Sequence, residues 1–232
     1  MKSKKISLFL SFALILCHFV FFYGHSVLAN DSFQYWSGYE FAKELGPKFE
    51  IFYNPEFRTR DDARGIFFHF HRFGLKWKPS KYLQTGVNYF IARTQPLRRG
   101  QPLYENRLEL DLMPKYAFRS FNFSLRARTE LRQVQGSSGE EEWRFRLRPQ
   151  IAYNTKCFGH KIAPYISDEI FYDVERDAWN QNRMTAGIGI PIGKWKGIGT
   201  NLDIYYMLQS NRSVRDEWSS DQIFGTKFTV RL

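Results

Sequence analysis

Four groups of residues in this chain have the types and spacing to do chemistry. His69 and His71 stand two apart in the stretch FFHFHRF, so an extended strand would put both on one face, as two metal ligands or a general base and its orienting partner require. No third ligand can be assigned, and the pair reads as lumen-facing or interfacial histidines without a metal. Asp168 and Glu169 are adjacent, which sends them to opposite faces and prevents their acting as a carboxylate pair on one bound group. One of them should face inward and pair with arginine, and Asp168 is assigned that place. Ser137 and Ser138, between Gly136 and Gly139, would need a histidine to become a nucleophile, and none can be placed; they read as a solvated loop. The fourth group is a ladder of arginines. Arg144, Arg146 and Arg148 alternate with Trp143, Phe145 and Leu147, and Arg126, Arg128 and Arg132 alternate with Leu125, Ala127 and Leu131.

The elements that must position these residues are strands. Period-two alternation recurs along the chain: Leu108, Leu110 and Leu112 against Arg107, Glu109 and Asp111; Met184, Ala186, Ile188 and Ile190 against polar or small residues; Leu202, Ile204, Tyr206 and Leu208 against Asn201, Asp203 and Gln209. Eleven strands are expected, at 34–45, 48–58, 66–77, 82–94, 104–115, 118–133, 141–154, 161–174, 182–193, 198–210 and 220–232. Short turns at Gly46–Pro47, Lys78–Lys81, Pro114–Phe118, Thr155–His160 and Gly193–Gly199 alternate with longer charged loops, the pattern of an outer-membrane barrel. The parity raises a difficulty. If the long loops lie outside the cell, the last strand ends in the periplasm but segment 34–45 starts outside. Either the other ten segments close a ten-stranded barrel with that segment in the lumen or elsewhere, or one turn is misplaced; ten strands fit the loops best, within a range of ten to twelve. Pro149 and Pro164 each remove a ladder donor, and both are expected near strand ends or bulges at the short-turn end.

Lys2, Lys4 and Lys5 precede an apolar run from Ile6 to Tyr23 and a small-residue site at Val27–Ala29, the pattern of a secretory signal peptide cleaved after Ala29. Residues 30–232 then form one barrel domain. Cleavage removes three lysines and no acid, lowering the formal charge from +11 to +8, and takes Cys17 away. Cys157 is left alone, which excludes an intramolecular disulfide and a cysteine-based zinc site. A basic chain with interleaved arginines and aromatics also suggests nucleic acid. Stacking needs cations and rings side by side, however, and strand geometry sends them to opposite faces.

Energetics orient the wall. Each arginine on a lipid face would cost about 2–4 kcal/mol near the midplane. Arg126, Arg128, Arg132, Arg144, Arg146 and Arg148 should therefore face a lumen and pair with Glu109, Asp111, Glu130, Glu142, Asp168 and Asp203. Trp143 and Tyr153 would bracket the apolar face at the two membrane interfaces. A soluble lipocalin-like barrel would reverse this and crowd most of the 36 Phe, Tyr and Trp residues of 30–232 into a ligand-binding interior.

The stretches LYENRLELDL, EEWRFRLRPQIAY, APYISDEIFYDV, NRMTAGIGI and LDIYYMLQS resemble, in order and spacing, the domain of unknown function 2490 family. The resemblance runs from about Phe33 to Leu232 and implies a Gram-negative outer-membrane β-barrel, with no activity to transfer. Terminal Leu232 departs from the Phe that often ends such barrels. The expectation is an all-β, antiparallel transmembrane β-barrel with an arginine-rich, ion-paired lumen. Its role would be structural or that of a narrow channel, without a cofactor. Outer-membrane lipid, the barrel-assembly machinery and a small anionic solute are the expected partners. A lipid-modifying enzyme and the lipocalin-like barrel are the alternatives.

Overall fold

The computed structural model describes residues 32–60, 65–96, 100–135, 141–195, 197–213 and 217–232. The expected signal peptide and the Ser137–Ser138 loop lie outside these residues. The elements in chain order are β1 (Ser32–Leu45), β2 (Phe49–Arg60), β3 (Ile66–Ser80), β4 (Leu83–Thr94), β5 (Leu103–Phe118), β6 (Phe121–Val134), β7 (Glu142–Tyr153), β8 (Thr155–Cys157), β9 (His160–Asp173), β10 (Ala178–Trp195), β11 (Ile198–Arg212) and β12 (Trp218–Arg231). Each of the eleven expected segments is a strand, and β8 is the addition. It is a three-residue extension that folds back on β9 and converts part of the expected Thr155–His160 turn into a hairpin.

Eleven strands close a barrel. The order runs β1 to β7, then β9, β10, β11 and β12, and β12 pairs with β1. All neighbours are antiparallel except that last pair, which is parallel from Ser32↔Asp221 to Ala42↔Arg231. Parallel closure corrects the ten-strand reading and resolves its parity. β1 and β12 both run from the long-loop end to the short-turn end, so an odd number of wall strands is required, and segment 34–45 is in the wall. The ladder continues past the strand end, with Leu232 N donating to Ala42 O at 2.8 Å. Closure leaves no unpaired edge along the wall.

The turns at the short end are tight because residues there accept positive φ: Gly46 (76°), Arg119 (54°), Phe158 (48°), Gly159 (83°) and Gly197 (86°). The turn expected over Pro114–Phe118 falls later, at Arg119–Ser120, because alternation carries β5 through Phe118. Pro149 lies within β7 rather than at its end. Pairing with β9 passes from Leu147↔Ile170 to Gln150↔Ser167 around it.

Interior packing has two small apolar clusters, Trp36–Met207–Ile223 and Phe70–Phe90–Ala92. Two glycines make room for tyrosines. A Cβ on Gly225 would come within 2.1 Å of the Tyr205 ring, and one on Gly187 within 2.7 Å of Tyr165. Those bare backbones let both rings lie across neighbouring strands, where a side chain would block them.

Candidate functional site: a charged interior

The strand period assigns every wall residue to one of two faces. On β5, Glu105, Arg107, Glu109 and Asp111 point inward, while Tyr104, Leu108, Leu110 and Leu112 are exposed outside. On β6 and β7 the inward residues include Arg126, Arg128, Glu130, Arg132, Glu142, Arg144, Arg146 and Arg148. Together these strands build one continuous charge network.

Its register mixes like and unlike charge pairs. Like charges stand directly opposite one another at Glu109↔Glu130, Arg128↔Arg146 and Arg126↔Arg148, an arrangement that by itself is destabilising. Unlike pairs directly opposite at Asp111↔Arg128, Glu130↔Arg144 and Arg132↔Glu142, together with diagonal and longer-range contacts, offset it. Glu109, with no exposed surface, lies 2.8 Å from Arg72 Nε and 2.6 Å from Arg128 Nη1. Arg128 also forks onto Asp111 at 2.7 and 2.8 Å. Glu130, equally buried, accepts from Arg144 at 2.5 Å and Arg146 at 2.6 Å, with Arg107 at 3.8 Å. At the long-loop end Glu105 bridges Arg107 and Arg132, and Arg132 reaches Glu142 at 3.1 Å. Two-pronged guanidinium contacts hold both partners in one geometry, which a lysine at these places would not do.

A second layer, nearer the short turns, uses lysine. Lys76 contacts Glu50 at 2.7 Å and Glu40 at 3.2 Å, Lys78 contacts Glu50 at 2.7 Å, and Lys227 reaches Glu40 at 2.6 Å. Aromatic faces floor the arginines: Arg58 lies 3.4 Å above Trp36, Arg107 4.2 Å from Phe90 and Arg146 4.4 Å from Phe171. Between these layers is a cavity of about 640 Å³. Ten of its lining residues are basic and three acidic (Glu56, Glu169 and Asp203); eight of the ten cations meet a carboxylate, and among the described residues Arg148 and Arg183 do not.

Asp203 lines this cavity and accepts from Asn201 at 3.0 Å. Asp168 corrects its assignment. It lies on the outer face, where it accepts from Asn182 Nδ2 at 2.6 Å, and its neighbour Glu169 points inward to Arg126 and Arg146. His69 and His71 do share a face, with ring centroids 5.8 Å apart, but it is the outer one. There Tyr53 Oη lies 2.7 Å from His71 Nδ1. Among the described residues no group of three or more His, Cys, Asp or Glu could hold a metal. Trp143 and Tyr153 are on the outer face at the two ends of β7, with Tyr153 packed on Phe121 at 4.9 Å.

Inward charged residues outside the expected set include Glu40, Glu50, Glu56, Arg58, Arg72, Lys76, Glu105, Arg107, Glu169, Arg183 and Lys227. Extending the parity of each strand would have found Arg107 and Lys227, which alternate with leucines on β5 and with phenylalanines on β12. It would not have found Arg72 or Glu169, whose strands carry polar and apolar residues on both parities. A search of curated proteins found no match, and a search of solved structures found none either. Residues 33–220 match the family model described as "Protein of unknown function (DUF2490)", and the chain, most of whose barrel that match covers, belongs to this family.

Proposed function

We propose that the chain is an integral outer-membrane β-barrel with a narrow, electropositive lumen braced by ion pairs. The observation that carries this reading is the outer surface. Large apolar side chains are exposed on ten of the eleven wall strands, among them Phe41, Ile51, Leu75, Val87, Leu110, Leu125, Phe145, Ile188 and Phe224. In water such a continuous apolar surface far exceeds what soluble monomers present. In a bilayer it is the matching surface, and closure satisfies the backbone groups that lipid cannot.

Dimensions support the same reading. Twelve residues of β7 at ~3.3 Å each, tilted by ~45°, rise roughly 28 Å, enough to span the ~25 Å apolar band of such barrels. Trp143 and Tyr153 then lie near the two interfaces. The short turns face the periplasm and the long loops the exterior, with the N-terminal pattern as the export signal. Membrane lipid and the assembly machinery are the partners this implies. A lipocalin-like barrel would need these apolar side chains inside, whereas the interior holds the charges.

The interior favours a braced wall over a wide pore, because ion pairs link β3, β5, β6, β7 and β9 in a row along the wall, and Arg183 of β10 reaches over Trp36 of β1 at 5.2 Å. The experiment is fractionation of cells expressing the full chain, with electrophoresis of unheated samples and planar-bilayer recording of the purified protein. Outer-membrane recovery, heat-dependent migration and at most small conductance are expected. Recovery in the soluble periplasmic fraction would overturn the membrane reading, and large steady conductance would overturn the narrow interior.

A further inference from the structure

We infer that the cavity is an oxyanion site for a phosphate group, free or ester-linked, held by Arg126, Arg148 and Arg183 around Glu169. This deepens the electropositive-lumen part of the reading above and rests on it. Charge accounting around Glu169 motivates it. Four arginines, Arg126, Arg146, Arg148 and Arg183, line the same cavity as this one carboxylate. Its Oε1 already accepts from Arg126 at 2.5 Å and Arg146 at 2.9 Å. Arg146 is further satisfied by Glu130 at 2.6 Å.

Arg148 and Arg183 are not neutralised in this way. Among the described residues Arg148 has no ion pair, and its Nε is shielded from solvent without an acceptor, as is the Nε of Arg126. Arg183 donates at 2.8 Å to the neutral amide of Gln209 and otherwise rests on Phe171 and Trp36 at 4.8 and 5.2 Å. Arg126 and Arg148 stand directly opposite each other on neighbouring strands. Shielded guanidinium donors without acceptors and cations without a carboxylate are costly, and a bound anion would relieve both the missing acceptors of Arg126 and Arg148 and the repulsion between them.

The arrangement also selects the class of anion. Guanidinium forks match the paired oxygens of a phosphate better than a spherical halide, and a local surplus of cations matches a multiply charged group. Gln150, Ser167 and Tyr165 line the same cavity and can donate further hydrogen bonds. About 640 Å³ is ample for a phosphate with a small organic substituent.

The test is calorimetric titration of the purified, folded full barrel in zwitterionic detergent at low ionic strength. The probes are inorganic phosphate, glycerol 3-phosphate and short-chain phosphatidylglycerol, with chloride as the comparison. Saturable binding of at least one phosphate probe is expected, weakened at least tenfold in Arg148→Gln but not in Arg93→Gln, a change on the outer wall. Binding of the soluble probes identifies a free anion, and binding of the lipid alone identifies a headgroup. If Arg148→Gln does not fold by the unheated-gel criterion, Arg183→Gln replaces it. No phosphate binding, binding no stronger than that of chloride, or equal affinity in the folded variant would overturn the site. Fractionation reads membrane placement separately, so either conclusion can fail without the other.

Discussion

Replacing Glu130 by Gln keeps the side-chain shape and removes one negative charge from the centre of the network. Glu130 has no exposed surface and receives Arg144 at 2.5 Å and Arg146 at 2.6 Å, with Arg107 at 3.8 Å. Each hydrogen bond to a charged group is worth about 1.5–3 kcal/mol, and removing one member of a buried pair costs about 3–5 kcal/mol because the partner is left uncompensated. Arg146 keeps Glu169, and Arg107 keeps Glu105, so Arg144 bears most of the loss. The expected destabilisation is therefore about 3 kcal/mol, the lower end of that range. Reversible urea unfolding in lipid vesicles, followed by tryptophan fluorescence, measures it. A cycle with Arg144→Met adds the decisive comparison: the double variant should be more stable than the sum of the two single losses by at least ~1 kcal/mol, since neither charge is then left alone. A Glu130→Gln variant within ~0.5 kcal/mol of the parent, with an additive cycle, would refute the claim that these pairs brace the wall.

Other outcomes follow from the same geometry. Gly225→Ala should cost about 1–3 kcal/mol in the same unfolding assay, because its Cβ would meet Tyr205 at 2.1 Å, and Tyr205→Leu in the same chain should recover part of the loss. Cysteines at Tyr39 and Phe228, which are register partners on the outer face, should cross-link on mild oxidation with Cys157 changed to Ser; absence of the cross-link would contradict the parallel closure of β1 on β12. Leu147→Arg should destabilise the barrel in vesicles by about 2–4 kcal/mol if this position meets lipid, and a negligible effect there would count against the membrane reading.

The unequal legibility of the site has a physical origin in individual strands. In LELDL and WRFRLR one parity is wholly apolar and the other charged, so the two faces can be sorted before any fold is known. In FFHFHRF the outward parity carries His69 and His71, and the inward one carries Phe68 and Phe70 before Arg72. In SDEIFYD both parities hold an acid and an aromatic residue, so Asp168 and Glu169 were interchangeable until Glu169 was seen beside Arg126 and Arg146. Period assigns residues to two faces. Which face is inside depends on the neighbours that each face meets.

By itself the sequence determined that the chain is a run of extended segments with tight turns and charged loops in alternation, because period-two patterning and turn chemistry are local properties. It also carried the family resemblance that the matched model bears out. Tertiary structure decided the closure, the pairing partners and the cavity. The parallel contact of β1 with β12 joins residues almost two hundred positions apart, as in Ser32↔Asp221, and no local pattern encodes such a meeting. The same is true of the arginines around Glu169. Their charges are evident in the sequence, but the surplus of cations arises only where four strands bring their inward faces together.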